Sequence, residues 1–444
     1  MKRFLPTTLK SLWEKPPCGS VVDVHGWIRS LRKSKNVCFA MVSDGTCQQP
    51  IQVVATPEQA QLLSYGASVK IQGKLEISKK AALGKQQYEL LAEKVDLYGK
   101  VNNDYPIQKK NLATEFLRQH PHLRVRTAKQ NDLFRLRSDT LEGVRSFLAK
   151  SDFIETNPPL LTSSDCEGAG EVFLVTPHSK KKDSTNSSEF SNKDEQSPSF
   201  FGTPTFLTVS TQLHLEALAL GMSRVYTITP AFRAENSHTS RHLAEFWMLE
   251  VELAFIETMD ALAGVVEDLI KYLVQYLKKK GYHREHWNHL MNEWHRISYT
   301  EAIDILKNSG YTWHDPPAWG NDLSSEHERY LTDVYIKGPV FVTDYPASIK
   351  PFYMKPSSND TVAAMDLLVP QVGELVGGSL RKDSIALEEV PKGLEWYYEM
   401  LQQANTPHGG FGLGIERLLA FLEGNATNVR ETIPFPRSSG SIFA

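Results

Sequence analysis

Glu250 and Glu252 stand two residues apart in a run that alternates in character, so an extended strand would carry both carboxylates on one face. The run belongs to VYTITPAFRAENSHTSRHLAEFWMLEVELAF (225–255), two β-like stretches joined by a polar loop. In the second stretch Trp247, Leu249, Val251, Leu253 and Phe255 alternate with Phe246, Met248, Glu250, Glu252 and Ala254. One face is apolar core, and the other offers an aromatic ring and two acids. Adjacent acids on a buried face are costly unless cations or a ligand meet them, and Arg233 and Arg241 are the cations at hand. A second stretch, HGGFGLGIERLLAFLEG (408–424), reads as a glycine-rich turn entering a helix with Ile415, Leu418, Leu419 and Leu422 on one side. Such glycines let a backbone come close to a flat ligand while the helix delivers one fixed guanidinium, Arg417, suited to phosphate. The dinucleotide fingerprint does not fit, because no βαβ strand precedes these glycines and no ribose-binding acid follows.

Residues of this kind act only when a large scaffold holds them. At roughly 150 residues per domain, 444 residues predict about three domains, or one large domain with a smaller appendage. Hydrophobic residues at 41% and charged residues at 23% are ordinary for a globular chain, and no apolar run approaches the ~18 residues of a membrane helix. The net charge of −3 excludes bulk polycation binding of nucleic acid, so any such site is a local basic patch. Cys18, Cys38, Cys47 and Cys166 show no C-x-x-C spacing, which argues against a zinc ribbon, a redox motif or a disulfide framework and for a reducing compartment. The start, MKRFLPTTLKSLW, is basic and free of acids; it reads either as a targeting segment or as an ordinary N-terminus.

After an N-terminal extension (1–19), the runs VVDVHGWI, VCFAMVSDG, IQVVA, SVKIQGKLEI and YELLAEKVDL predict a five-stranded barrel of the OB type over 20–100. Within it GWIRSLRKSKNVCF (26–39) sets Arg29, Arg32, Lys33 and Lys35 near Phe39. Cations for phosphates beside a ring for base stacking suit a reader of single-stranded RNA, although Phe39 could equally be a barrel-core aromatic. A polar linker (101–120) leads into a body over 121–444, whose first long helix is predicted at 133–150 with apolar Phe134, Leu141, Val144 and Phe147. Residues 177–199, with seven serines and the single large apolar Phe190, read as a mobile surface insertion, and 260–338 as a mainly helical insertion.

The R-x-E strand pair with the G-x-G-x-E-R helix, after a helix and FIETNPPLL, resembles class II aminoacyl-tRNA synthetases over the whole chain. The barrel narrows the resemblance to the aspartyl, asparaginyl and lysyl branch. CEGAGEVF, STQLHLEA, YPASIKPFYM, TVAAMDLLVPQVGELVGGSLR and NVRETIPFPR look like the asparaginyl members, with small departures at His214 and Leu380 and in the polar insertion. Aspartyl members carry a lysine where this chain has Leu215 and an aspartate where it has Glu250.

The resemblance implies an α+β fold: an OB barrel, then a catalytic domain on an antiparallel sheet flanked by helices. It implies ATP and L-asparagine as substrates, Mg²⁺, tRNA(Asn), a homodimer and no membrane. Arg233 and Arg417 become the catalytic cations, and Glu235, Phe246, Glu374, Gly412 and Gly414 join them in binding ATP. Asp366 and Glu374 would hold Mg²⁺. Glu167 and Gln212 would bind the substrate ammonium, with Arg381 and Glu250 reading its amide. Arg32, Phe39, Gln52 and Glu89 would meet the anticodon. Chain length, basic start and serine-rich segment point to a mitochondrial enzyme, with the cytoplasm as the alternative. An aspartyl enzyme, a non-catalytic RNA-binding relative and an ammonia-dependent asparagine synthetase are the competing readings. Leu215 and Glu250 oppose the first, the presence of Arg233, Glu235, Asp366, Glu374 and Arg417 the second, and the barrel the third.

Overall fold

The computed structural model describes residues 5–78, 87–108, 110, 112–164, 171–177, 200–237, 239–424 and 428–443. The chain divides into two compact units, Met1–Leu136 and Arg137–Ala444. In the first, β1 (Val21–Lys33), β2 (Cys38–Ser43), β3 (Ile51–Ala55), β4 (Ser68–Ile77) and β5 (Tyr88–Gly99) close a barrel in the order β1-β2-β3-β5-β4. Alternation sorts its faces: Cys38, Ala40 and Val42 of β2 and Ile51, Val53 and Ala55 of β3 fill the core. Phe39 lies on the other parity and faces outward, half-buried, so it is not a core aromatic. Register sets Arg32 opposite Phe39, and Gln52 opposite Glu89.

The stretch read as an N-terminal extension is in part barrel structure. Thr8 and Ser11 form a capping box for the helix Leu9–Glu14, whose Leu9 and Leu12 enter the barrel core. The Asp44 carboxylate accepts from the Leu9 amide at 2.7 Å, and Trp13 Nε1 donates to the Gln49 carbonyl at 3.0 Å. The linker likewise holds a helix, Thr114–Arg118, and a buried Ile107.

In the second unit β6 (Ile154–Glu155), β9 (Arg224–Phe232), β10 (Glu245–Ala254), β11 (His295–Ser298), β12 (Val340–Pro346), β13 (Thr361–Val369), β14 (Gly373–Leu380), β15 (His408–Gly414), β16 (Arg437–Ser438) and β17 (Ser441–Ile442) form one sheet among the described residues. A small pair, β7 (Leu161–Thr162) and β8 (Phe206–Leu207), stands apart from it. The centre of the sheet runs β13-β14-β15-β10-β9, all antiparallel. Within this sheet only β6 with β9 and β11 with β12 pair in parallel among the described strands.

Three readings change here. The glycines 409–414 form strand β15 and not a turn, hydrogen-bonded on both edges; glycine at 410 is required because a Cβ there would overlap the Glu252 carboxylate and the Val251 carbonyl. Phe255 leaves the apolar face: β10 ends at Ala254, and Phe255 has φ 61° and is 73% exposed. The region 260–338 is mainly helical, as its sequence reads: helix Met259–Lys279 buries Leu262, Val266, Leu269, Ile270, Leu273 and Leu277, and the short β11 extends the sheet. The predicted helix 133–150 begins earlier, at Ala128, and buries Leu133, Leu136, Thr140, Val144 and Leu148. Phe134, Leu141 and Phe147 on that helix stay half-buried. Residues 178–199 of the polar stretch lie outside the described residues.

Replacing Leu12 by Ala removes a buried side chain from the barrel core and should destabilise that unit by roughly 2–4 kcal/mol. Urea unfolding of the barrel followed by Trp13 fluorescence measures it; a change under about half a kcal/mol would mean the helix is not part of the cooperative barrel.

Candidate active site

β10 carries Phe246, Met248, Glu250 and Glu252 on one face, and β15 meets them in register: Met248 with Gly414, Glu250 with Gly412, Glu252 with Gly410. Glycines opposite large side chains keep that face open, and two cavities share it. The first gathers Arg233, Glu235, Phe246, Glu374, Gly412, Gly414 and Arg417, which sequence reading had assigned together, and adds Arg241 and His242. The Arg233 guanidinium lies 5.6 Å from the Phe246 ring centroid. Arg417 Nη1 donates to the Glu374 carbonyl at 3.0 Å and to its carboxylate at 3.1 Å. His242 Nε2 lies 3.5 Å from Glu235 Oε2.

The second cavity, about 640 Å³, is lined by Gln212, Leu215, Glu250, Glu252, Asp366 and Arg381, and it reaches Arg233 and Glu374. Lys350 Nζ pairs with Asp366 at 2.9 Å and sits 3.9 Å above the Tyr345 ring. Asp366 and Glu374 converge, each placing one carboxylate oxygen 3.4 Å from where a side chain on Gly377 would begin. Burial raises Asp366, with the Glu374 charge adding and Lys350 opposing. Burial acts on Glu374 in the same sense, but the Arg417 and Lys350 charges outweigh it and leave that carboxyl below its usual range. Glu167 lies outside the described residues.

The acids Glu250 and Glu252 are met by other groups than Arg233 and Arg241. Arg381, 2% exposed, grips Glu252 with two bonds, Nε to Oε1 at 3.0 Å and Nη2 to Oε2 at 2.8 Å. Arg241 goes to Glu328. Glu250 accepts from the Thr211 amide at 3.0 Å and from the hydroxyls of Ser210 and Thr211, at the start of helix Gln212–Met222. Beneath Arg381 lies a buried set that sequence reading missed. Glu216 Oε1 is 3.7 Å from Arg381 Nε, and Glu216 Oε2 accepts from Tyr397 at 2.6 Å and sits 3.2 Å from His408 Nε2. His408 Nδ1 faces the Thr406 carbonyl at 2.8 Å. Acceptors at both ring nitrogens require the imidazolium. Burial alone would lower the His408 pKa, but Glu216 raises it above its ordinary value. Burial pushes Glu252 up to about 6, against the pull of Arg381. Glu216 falls on helical spacing beside the signalled Gln212, whose Nε2 donates to it at 3.0 Å, but its charged partners Arg381 and His408 are distant in sequence, so no local pattern reveals the set.

A family model described as class II tRNA synthetases (D, K and N) matches residues 113–439, and one for an OB-fold nucleic acid binding domain matches 22–98. The mitochondrial asparagine–tRNA ligase of Schizosaccharomyces pombe is 63% identical over 447 residues, covering all of both chains. The asparagine–tRNA ligase of Clostridium kluyveri is 41% identical, covering 98% of this chain and 99% of its own. This chain belongs to the asparagine–tRNA ligase family of class II synthetases. Among solved structures, the synthetase resembles asparaginyl-tRNA synthetase from Pyrococcus horikoshii complexed with asparaginyl-adenylate, with a TM-score of 0.84 at 30% identity, covering 99% of this chain and 100% of that one.

In this synthetase Glu252→Gln should leave Arg381 with only Glu216 as a counter-charge. Breaking a buried pair on one side costs about 3 kcal/mol, the low end of its range here because Glu216 stays close. A lowered Tm in thermal unfolding is expected, and an unchanged Tm would show that Glu216 suffices.

Proposed function

We propose that this chain ligates L-asparagine to tRNA(Asn) through an asparaginyl-adenylate, consuming ATP and releasing AMP and pyrophosphate, in the mitochondrial matrix and as a homodimer. The observation that carries the choice of amino acid is Leu215 in the second cavity beside Glu250, Glu252 and Arg381, at the position where the aspartyl members carry a lysine; the lysine that lines the cavity among the described residues, Lys350, is paired with Asp366. The name of the Schizosaccharomyces pombe relative supports the compartment. The half-buried Phe134, Leu141 and Phe147, with Ile154 and Leu161 exposed beyond them, support a second copy as the cover of that surface.

ATP takes the first cavity and asparagine the second. Phe246 stacks on the adenine and Glu235 accepts from its amino group; Arg417 turns from Glu374 to cover the ring and reach the terminal phosphate. Arg233 lines both cavities, which suits a group that holds the α-phosphate where the two substrates meet. The substrate carboxylate attacks the α-phosphorus in line, pyrophosphate departs, and the terminal adenosine hydroxyl of tRNA then takes the asparaginyl group. No protein nucleophile is needed; catalysis is positioning and charge stabilisation. The donor set fits Mg²⁺, since Asp366 and Glu374 offer two convergent hard carboxylates and that ion takes one or two with substrate phosphates. When bound it supplies neutralisation of phosphate charge. Gln212 and Glu167 meet the substrate ammonium. Arg381, with Nε and Nη2 locked on Glu252, has N–H groups left on Nη1 and Nη2 for the side-chain carbonyl oxygen. The amide NH₂ replaces a hydroxyl donor at Glu250.

On the barrel Arg32, Phe39, Gln52 and Glu89 share the outward face of β1, β2, β3 and β5. Gln52 Nε2 donates to Glu89 Oε1 at 2.8 Å, which orients both for a base edge beside the Phe39 ring. Arg29 is used otherwise, donating to the Arg126 carbonyl.

Pyrophosphate exchange with asparagine and aspartate side by side tests the assignment. A second carboxylate against Glu250, with Leu215 unable to neutralise it, should give discrimination of roughly 10³-fold or better. Glu250→Gln should lower asparagine activation steeply and shrink that preference; undiminished activation with aspartate still rejected would remove Glu250 as the amide reader. Phe39→Ala should weaken tRNA charging by about 1–3 kcal/mol and spare adenylate formation. Equal damage to both half-reactions would make Phe39 structural.

A further inference from the structure

The segment between Met259 and Gly338, silent in sequence, sends the carboxylate of Glu328 to Arg241, a residue in the wall of the first cavity. Ser324 caps the helix Ser325–Arg329, and His327 pins that turn by accepting from the Ser324 amide at 3.1 Å and donating to the Asp315 carbonyl at 2.7 Å. From this turn Glu328 reaches Arg241, with Nη2 and Oε2 2.7 Å apart and the two side chains 10% and 13% exposed. Arg241 Nη1 also donates to the Ser325 hydroxyl. Burial pushes Glu328 up to about 7 against the pull of the Arg241 charge.

The third party is Gly373, at φ 82°, whose missing side chain leaves room for the pair: a Cβ there would overlap both Glu328 Oε2 and Arg241 Nη2. The next residue is Glu374, the partner of Arg417. One ion pair therefore joins the loop between β9 and β10, the helix Ser325–Arg329 and the start of β14. That loop carries Arg233, Glu235 and His242 into the cavity.

We propose that Glu328 is a positioning residue for nucleotide binding, holding the β9–β10 loop through Arg241 at the geometry in which Arg233, Glu235 and His242 meet ATP. The inference rests on reading the first cavity as the ATP site. Pyrophosphate exchange on the full chain, with KM measured separately for ATP and asparagine, tests it. Glu328→Gln should raise the KM for ATP about tenfold while the KM for asparagine stays within about twofold. The double variant Arg241→Gln with Glu328→Gln should be no weaker toward ATP than Arg241→Gln alone, as expected for groups acting as one unit. An unchanged KM for ATP, equal rises in both KM values, or fully additive losses would overturn the proposal. Should Glu328→Gln fail to fold by circular dichroism, Gly373→Ala displaces the same pair with both charges kept and should give the same split. Arg233→Ala separates the two ideas: normal exchange in that variant would remove ATP from the cavity. Its loss together with an unaffected Glu328→Gln would sink the positioning role alone.

Discussion

The Glu416 carboxylate is the point from which the catalytic unit is braced. It is 2% exposed, accepts from the Trp247 amide at 2.9 Å and pairs with Arg137 at 2.6 Å. Arg137 belongs to the helix Ala128–Lys150, Trp247 to β10, and Glu416 itself to the helix Ile415–Glu423. Three segments distant in sequence are thereby held together by one charged group, whose desolvation only the Arg137 charge and the backbone donor offset. Burial raises Glu416 and Arg137 opposes it, so the brace holds only while both partners remain. Arg417, the next residue, takes its direction into the cavity from this anchor.

A second constraint is charge neutrality under the amino-acid pocket. Arg381 and the His408 imidazolium supply two cations against Glu216 and Glu252, while Glu250 is held separately by Ser210 and Thr211. Bonds from Arg381 to Glu252 and to the Ser379 hydroxyl hold its guanidinium in one orientation at the cavity lining.

The barrel follows a simpler rule. Strand parity sends Cys38, Ala40 and Val42 inward and leaves Phe39 outward, so one register choice builds the core and the outer face that carries Phe39 together. The helix Leu9–Glu14 closes part of that core, which is why an apparently ragged, basic N-terminus contains two buried leucines.

Strands, helices and a few of the cavity residues were legible along the chain, because alternation, helical spacing and short motifs are local: the five barrel runs, the helix after Gly414, and Arg233, Phe246 and Arg417 could all be read directly, whereas Glu235, Gln212, Asp366, Glu374 and Arg381 came only through the family resemblance. The glycine-rich strand was misread as a turn because its extended form depends on hydrogen bonds to β10 and β14 and on room for Glu252. Within the mainly helical region 260–338, strand His295–Ser298 is too short to announce itself until β12 pairs with it. Which cation meets which acid was beyond local reading altogether. Arg381 with Glu252, Arg137 with Glu416 and Arg241 with Glu328 are separated by 129, 279 and 87 residues. A buried charge chooses its partner by distance and desolvation in space, and only the folded sheet decides those.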